Sequence, residues 1–370
     1  MNHIIIEREK LEHNIHIVKE KAKSINPQLT IIAVIKGNGY GMDSVLIARK
    51  LLDNNIDFFA VSEISEAEKL RKSGFENKIL LLESTCIEQE INKIIELNLI
   101  ATVGSINALE LLNQKAKEAN KVVEVHLKID TGFGRFGFIV DNNNISQIKA
   151  AIEKSNNIKI TGTYSHFSEA YSNNEKVTRK QYENFVKTVN ILKENDIQTG
   201  MLHICNSSAF FKYSDMYLDA VRIGSAFTGR LQIKEPTGLK KVGYLESEIC
   251  EIRYMKKGSK IGYSGTYELV RDSKIAIVEA GYEAGVGVSG PKDSVRFIDK
   301  IRALKTAIIN FGKNKRMFVV VGEKSYPVLG RIGMKNMIID VTNANVNVGD
   351  KVKIPINLIF ANSNIERQEL

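Results

Sequence analysis

The sequence predicts an α/β fold, a closed parallel (β/α)8 TIM barrel over residues 1–235, followed by a mainly β domain over residues 236–370. Three observations predict it. Eight short apolar, β-branched runs alternate with amphipathic stretches through the first two thirds of the chain, the pattern of repeated strand–helix units. Beyond Gly229 the helical period fades, and short β-rich runs separated by turn signals take over. The glycine turn after the first run reads GNGYG rather than GxGxxG, which argues against an open dinucleotide-binding sheet.

The barrel strands are expected at Ile31–Ile35, Asp57–Val61, Ile79–Glu83, Ile100–Val103, Val122–Ile129, Ile158–Tyr164, Met201–Cys205 and Leu218–Ile223. Helices are expected between most of them, at Ser44–Leu52, Glu63–Ser73, Ile106–Ala119, Ile145–Ser155 and Val177–Asn195. Each places apolar residues three and four apart, so one face can lie on the sheet. In the second domain the expected strands are Ile249–Tyr254, Ile275–Ala280, Met317–Val321, Ser325–Leu329, Met337–Val341 and Lys351–Ile354. Turns such as Lys257-Gly258 and Gly349-Asp350 punctuate them. The last residues, Ala361 to Leu370, are mostly polar and read as a frayed tail.

Composition narrows the function classes. Of 370 residues 43% are hydrophobic and 26% charged, enough to build a large core. No apolar run reaches the length of a membrane span, and the three isoleucines near the N-terminus run into charge, unlike a signal peptide. A cytoplasmic protein with no membrane partner is expected. Cys86, Cys205 and Cys250 lie far apart and the six histidines form no ligand spacing, so neither a disulfide framework nor a metal site is expected. The net charge of +9 comes from lysines interleaved with glutamates and without aromatic companions. It reads as solubility, not as a nucleic-acid surface.

Chemistry in such barrels gathers at the C-terminal ends of the strands. The first strand delivers Lys36 into the turn Gly37-Asn38-Gly39-Tyr40-Gly41. Burial would lower the pKa of that amine toward a nucleophile able to form an imine with an aldehyde such as pyridoxal phosphate. A strand-end lysine reaching solvent before an ordinary turn explains this motif alone equally well. The later strand ends add Asn206, Ser207, Gly224 and Ser225, whose hydroxyls and N–H groups suit a phosphate. A lysine at one strand end and a phosphate cradle at others is the layout a pyridoxal phosphate enzyme requires.

Eight segments carry a more specific resemblance. VIKGNGYG is similar to the lysine motif KANAYG of the alanine racemase family. KIDTGFGRFG, YSHF, HICNSSA, VRIGSAFTG, IGYSGTYE, AGYEAG and GRIGMKNMIIDV resemble, in the same order, the family's other signatures. The resemblance implies a fold-type III pyridoxal phosphate enzyme acting on a small amino acid, built as a head-to-tail homodimer with shared active sites. It implies that Lys36 and Tyr263 are the two acid/base groups, the tyrosine reaching in from the partner subunit. Arg222 is implied to face the pyridine nitrogen, with His166 between it and the phenol. Tyr40, Asn206, Ser207, Gly224 and Ser225 are implied to hold the phosphate. Arg135 is implied to bind the substrate carboxylate or the cofactor hydroxyl, and Tyr282 and Met334 to meet the substrate. Lys128 matches the position that is carbamylated in some members.

The pattern breaks in four places. Lys335 and Tyr171 replace acidic residues of the family's site entrance, and Ala284 replaces another aspartate. The family's C-terminal GTxxYE segment has no match. A lysine at the entrance disfavours a cationic substrate; alanine is the substrate that the resemblance implies, and another neutral or acidic amino acid, such as serine, is the alternative. Two further readings remain: a decarboxylase of the same architecture, for which Cys250 lacks the Cys-Asp context, and a non-catalytic pyridoxal phosphate-binding protein, which would have no counterpart of Tyr263.

Overall fold

A computed structural model describes residues 1–290, 297–310 and 316–370. It divides the chain into Arg8–Val242 and a unit that joins Met1–Glu7 to Gly243–Leu370. The division thus lies at Val242 instead of residue 235, and the first residues belong with the second unit. The cause is strand β1 (His3–Ile6), whose buried isoleucines pair antiparallel with Leu245 and its neighbours.

The Arg8–Val242 unit is the expected barrel. Its strands are β2 (Thr30–Val34), β3 (Phe58–Val61), β4 (Ile79–Leu81), β5 (Ala101–Val103), β6 (Val123–Lys128), β7 (Ile158–Tyr164), β8 (Met201–His203) and β9 (Ala220–Ile223). All pair in parallel in the order β4-β3-β2-β9-β8-β7-β6-β5. A bridge between Leu80 and Ile100 closes the ring, with Ile100 N–H donating to Ile79 O at 2.9 Å. Inside lie Ile32, Val34, Phe58, Ala60, Leu80, Ile100 and Ala220. The helices bury one face each. Helix Ile106–Glu118 starts where the Ser105 hydroxyl accepts from Ala108 N–H, and it buries Ala108, Leu109, Leu112 and Ala116. The two leucines contribute about 2 kcal/mol each by leaving water.

The second unit is mainly β. Its strands are β10 (Tyr244–Met255), β11 (Lys260–Ile261), β12 (Tyr267–Glu268), β13 (Ser273–Val278), β14 (Phe318–Val321), β15 (Lys324–Leu329), β16 (Met337–Asp340), β17 (Lys351–Ile354) and β18 (Arg367–Glu369). The large sheet runs β13-β16-β15-β14-β17-β10-β1-β18, and a further β13–β10 pairing turns six of its strands into a ring. The long β10 serves both sides because its register shifts between Ile249 and Glu251, a bulge that bends the strand. β17 alternates exposed and buried positions, as a strand with one wet face must.

Two expectations are corrected here. The residues read as a frayed tail include β18, which pairs in parallel with β1 from Ile4–Arg367 to Ile6–Glu369. Backbone pairing needs no apolar side chains, so RQE gave no signal. The second unit also holds a helix, Phe297–Asn310, in a region that reads as lacking helical period.

Candidate active site

The first site residue is positioned by an uncommon turn. After β2, Gly37, Asn38, Gly39 and Tyr40 all have positive φ, between 51° and 67°, one turn of left-handed helix. Glycine adopts this freely and asparagine tolerates it, whereas for tyrosine it is a strained exception. Gly39 is required for space as well. A Cβ there would lie 2.9 Å from the Ile47 side chain and 3.1 Å from Ser44 N. Asp43 then caps the following helix by accepting from Val45 and Leu46 N–H. The turn sends Lys36 into a cavity of about 200 Å³ and leaves the Tyr40 ring packed on the barrel interior.

That cavity brings ten of the expected residues together: Lys36, Tyr40, Lys128, Arg135, His166, Asn206, Ser207, Arg222, Gly224 and Ser225. A larger cleft of about 600 Å³ near Asp130 and Lys187 holds none of them, so size does not choose the site. Burial and the Arg135 guanidinium lower the pKa of the Lys36 amine. Lys128, the last residue of β6, is 4% exposed. Its Nζ donates to Leu82 O at 3.3 Å. Burial, then Arg135, pulls its pKa down to about 7. Arg135 itself stacks 4.5 Å from the Phe133 ring centroid. Its loop is held by the Asp130 carboxylate, which accepts from the N–H groups of Gly132, Phe133 and Gly134.

Arg222 is the most constrained charge in the barrel. It is 3% exposed. One arm donates to His203 Nδ1 at 2.7 Å, and the other to Ser165 O at 2.7 Å and His166 Nδ1 at 3.1 Å. A guanidinium has only donors, so both imidazoles must accept on Nδ1 and, being neutral, carry their proton on Nε2. Burial, then Arg222, keeps both histidines well below the ordinary imidazole range, which fixes that neutrality. His203 passes its proton side to His126 Nδ1 at 2.9 Å, and Tyr164 stacks on it with centroids 4.8 Å apart. Gly162 makes room for this chain, since a Cβ there would meet His126 Nε2 at 2.6 Å.

The side expected to hold a phosphate is equally specific. Ser207 Oγ accepts from Gly224 N–H at 2.9 Å and Ala226 N–H at 3.4 Å, so its own hydrogen remains to be donated. Asn206 Oδ1 accepts from Ala209 N–H, leaving its amide N–H groups for a ligand. A Cβ on Gly224 would lie 2.5 Å from the Tyr40 hydroxyl. The phenol therefore lies directly over a backbone that only glycine keeps open.

The other three expected residues lie in the second unit and are neighbours there. Tyr263 is 71% exposed, Tyr282 53% and Met334 50%. Tyr282 N–H donates to Gly333 O and Glu283 N–H to Met334 O, both at 3.1 Å. A Cβ on Gly333 would come 3.9 Å from the Tyr263 ring. Gly281 has no substitute, because a Cβ would meet Gly333 O at 2.2 Å.

Sequence reasoning missed Glu83, His203 and Tyr164. Glu83 lines the cavity and its charge acts on Lys36 and Lys128 against the arginines. It passed as the end of a strand. His203 stood within HICNSSA, but its task is set by opposing strands. Cys205 is 1% exposed and its thiol donates to Met216 O.

The family model for the alanine racemase N-terminal domain matches residues 6–232, and that for the alanine racemase C-terminal domain matches residues 242–363. An alanine racemase of Methanococcus maripaludis is 31% identical over 342 residues, 91% of this chain and 85% of its own length. A lysine racemase of Proteus mirabilis is 30% identical over 354 residues, 94% of this chain and 79% of its own. A solved alanine racemase of Clostridium difficile 630 matches 100% of this chain and 95% of its own with a TM-score of 0.85, at 24% identity, a likeness of fold.

Proposed function

The chain belongs to the alanine racemase family, and from that premise we propose that it is a pyridoxal phosphate-dependent amino-acid racemase. It interconverts L- and D-alanine by two-base proton transfer at Cα. The observation that carries the reading is the joint geometry of one cavity: a lysine amine of lowered pKa, a glycine-floored phosphate cradle, and a buried arginine.

The residues present fit the cofactor. Tyr40, Asn206, Ser207, Gly224 and Ser225 would hold its phosphate, and a Cβ at Gly224 would obstruct that cradle. Arg222 would face its ring nitrogen, where a fixed neighbouring cation keeps a proton off. When bound, the cofactor supplies the electron sink that makes a substrate Cα–H acidic.

Everything else falls to side chains. Lys36, its amine more often neutral than a free lysine's, takes or returns the proton on one face of Cα. Tyr263 of the partner subunit serves the other face, in a homodimer with shared sites. His166, its Nδ1 spent on Arg222, presents Nε2–H and can donate to that phenol oxygen, stabilising the phenolate that acts as base. Arg135, with Tyr282 and Met334 from the partner subunit, positions the substrate carboxylate and bounds its side chain. Lys128 near neutrality holds a substantial neutral fraction, the form that adds carbon dioxide to become a carbamate. The exposed Lys335 disfavours a cationic side chain at the entrance. A cytoplasmic location completes the reading.

The test is direct. Purified protein should take up pyridoxal phosphate with a visible absorbance that Lys36→Ala abolishes. Solvent deuterium should enter Cα of alanine without release of CO2, and Tyr263→Phe should slow one direction of exchange more than the other. Protein that takes up no cofactor, or that releases CO2, ends the proposal. Faster turnover of L-lysine than of L-alanine ends its substrate assignment.

A further inference from the structure

The helix Phe297–Asn310 is unlike the others of the chain. Every one of its described side chains is exposed. Phe297 is 78% exposed, Ile301 49%, Leu304 63% and Ile308 65%. Their 4-3-4 spacing places all four along one stripe of an α-helix. A helix of fourteen residues whose described side chains are all exposed is marginal in water, so this stripe calls for an apolar cover.

The charge of the sequence in and beside the helix says what kind. Between Pro291 and Arg316 the sequence has eight basic residues (Lys292, Arg296, Lys300, Arg302, Lys305, Lys313, Lys315 and Arg316) and two acidic ones, Asp293 and Asp299. This stretch alone holds six of the nine charges by which bases exceed acids in the whole chain. At 100° per residue, Lys300 and Lys305 fall roughly 70° to either side of the stripe. Both are exposed. A second copy of the helix laid against the first would set these lysines against their like. A nucleic acid would meet the lysines but leave the apolar stripe in water. An anionic lipid surface satisfies both, with the stripe among the acyl chains and the lysines reaching the headgroups.

We propose that helix Phe297–Asn310 lies in the surface of an anionic membrane and docks the protein there as a peripheral enzyme. A surface-lying helix needs no long apolar run, so the absence of a spanning segment among the described residues does not oppose it. The proposal does not rest on the proposed activity.

The full chain, loaded with pyridoxal phosphate, is sedimented with vesicles of equimolar phosphatidylglycerol and phosphatidylcholine, or of phosphatidylcholine alone. The bound fraction should be about tenfold higher on the anionic vesicles and fall as salt is added. Ile301→Ser/Leu304→Ser/Ile308→Ser, which keeps every charge, and Lys300→Glu/Lys305→Glu should each reduce binding about tenfold. Both sets of positions are exposed, and unchanged circular dichroism checks folding. No binding of the unaltered chain to anionic vesicles at low salt overturns the proposal. So does full binding by the serine variant together with retention on RNA, which would mark a general polyanion surface. A change in oligomeric mass on serine substitution, without vesicle binding by the parent, would assign the stripe to a second copy instead.

Discussion

Replacing Lys128 by methionine should make the protein more stable below neutral pH. The amine is 4% exposed, faces Arg135, and has its pKa drawn from 10.5 to about 7 by burial first and that charge second. Below pH 7 the folded and unfolded chains both hold the proton, and the cost of burying the cation is fully present. Between pH 7 and 10.5 the unfolded chain keeps a proton that the folded one has released, so stability rises with pH. Above 10.5 both forms are neutral and the cost is gone. At 1.36 kcal/mol per pKa unit the ceiling is about 5 kcal/mol. Water entering the cavity and the polar neighbours screen the charge, and ~2 kcal/mol is the expected gain. Methionine keeps the length of the stem and removes the charge. For a unit of this size that is a rise in Tm of ~4 °C. Calorimetry of the cofactor-free protein in carbonate-free buffer, stepped from pH 6 to pH 10, follows the difference between the two proteins. It should be greatest at pH 6 and close to nothing at pH 10. A difference that stays constant across that range, or a variant that is less stable at pH 6, would show that Lys128 is not a buried cation. In bicarbonate buffer the intact mass of the parent, and not of Lys128→Met, should gain a carbamate.

Gly224→Ala should weaken pyridoxal phosphate binding at least tenfold, about 1.4 kcal/mol, because its Cβ competes with the Tyr40 phenol; equilibrium titration of the absorbance measures it, and unchanged affinity would remove Gly224 from the cradle. Arg222→Lys should cost about 3 kcal/mol in denaturant unfolding, since an ammonium has three N–H donors for the five acceptors that the guanidinium serves at His203, Ser165, His166 and Ile204; a loss below ~1 kcal/mol would argue that the hydrogen-bond network is dispensable. Deleting Arg367–Leu370 removes the parallel partner of β1 and should lower the Tm of the β-rich unit while the barrel transition stays in place; a shift of both transitions would contradict their separate cores.

The barrel was legible because parallel strands covered on both faces read as continuous apolar runs. Each of the eight expected strands overlaps an observed one, and Ile158–Tyr164 coincides with it. The cavity residues were legible too, because strand ends are where a barrel exposes side chains. What was hidden depended on partners distant in sequence. HIII reads as a terminus until Leu245 pairs with Ile4, and RQE until β1 lies beside it. The positive φ of Tyr40 is not signalled by its residue type, and its ring packs against a barrel cluster that includes Phe58, Leu80 and Ala220. The helix Phe297–Asn310 stayed hidden because it interrupts a region otherwise written in strands.

The two terminal strands lie side by side, although almost the whole chain separates them. A ribosome completes every strand of the barrel before it makes any of the segments that Ile4–Ile6 will bond to. During synthesis, which runs N-terminal domain first, that isoleucine strand must wait with both edges open while the barrel is already able to close. Such an edge is sticky. Its shortness, and Glu7 and Arg8 immediately after it, limit the association it invites until Arg367–Glu369 arrive and pair with it.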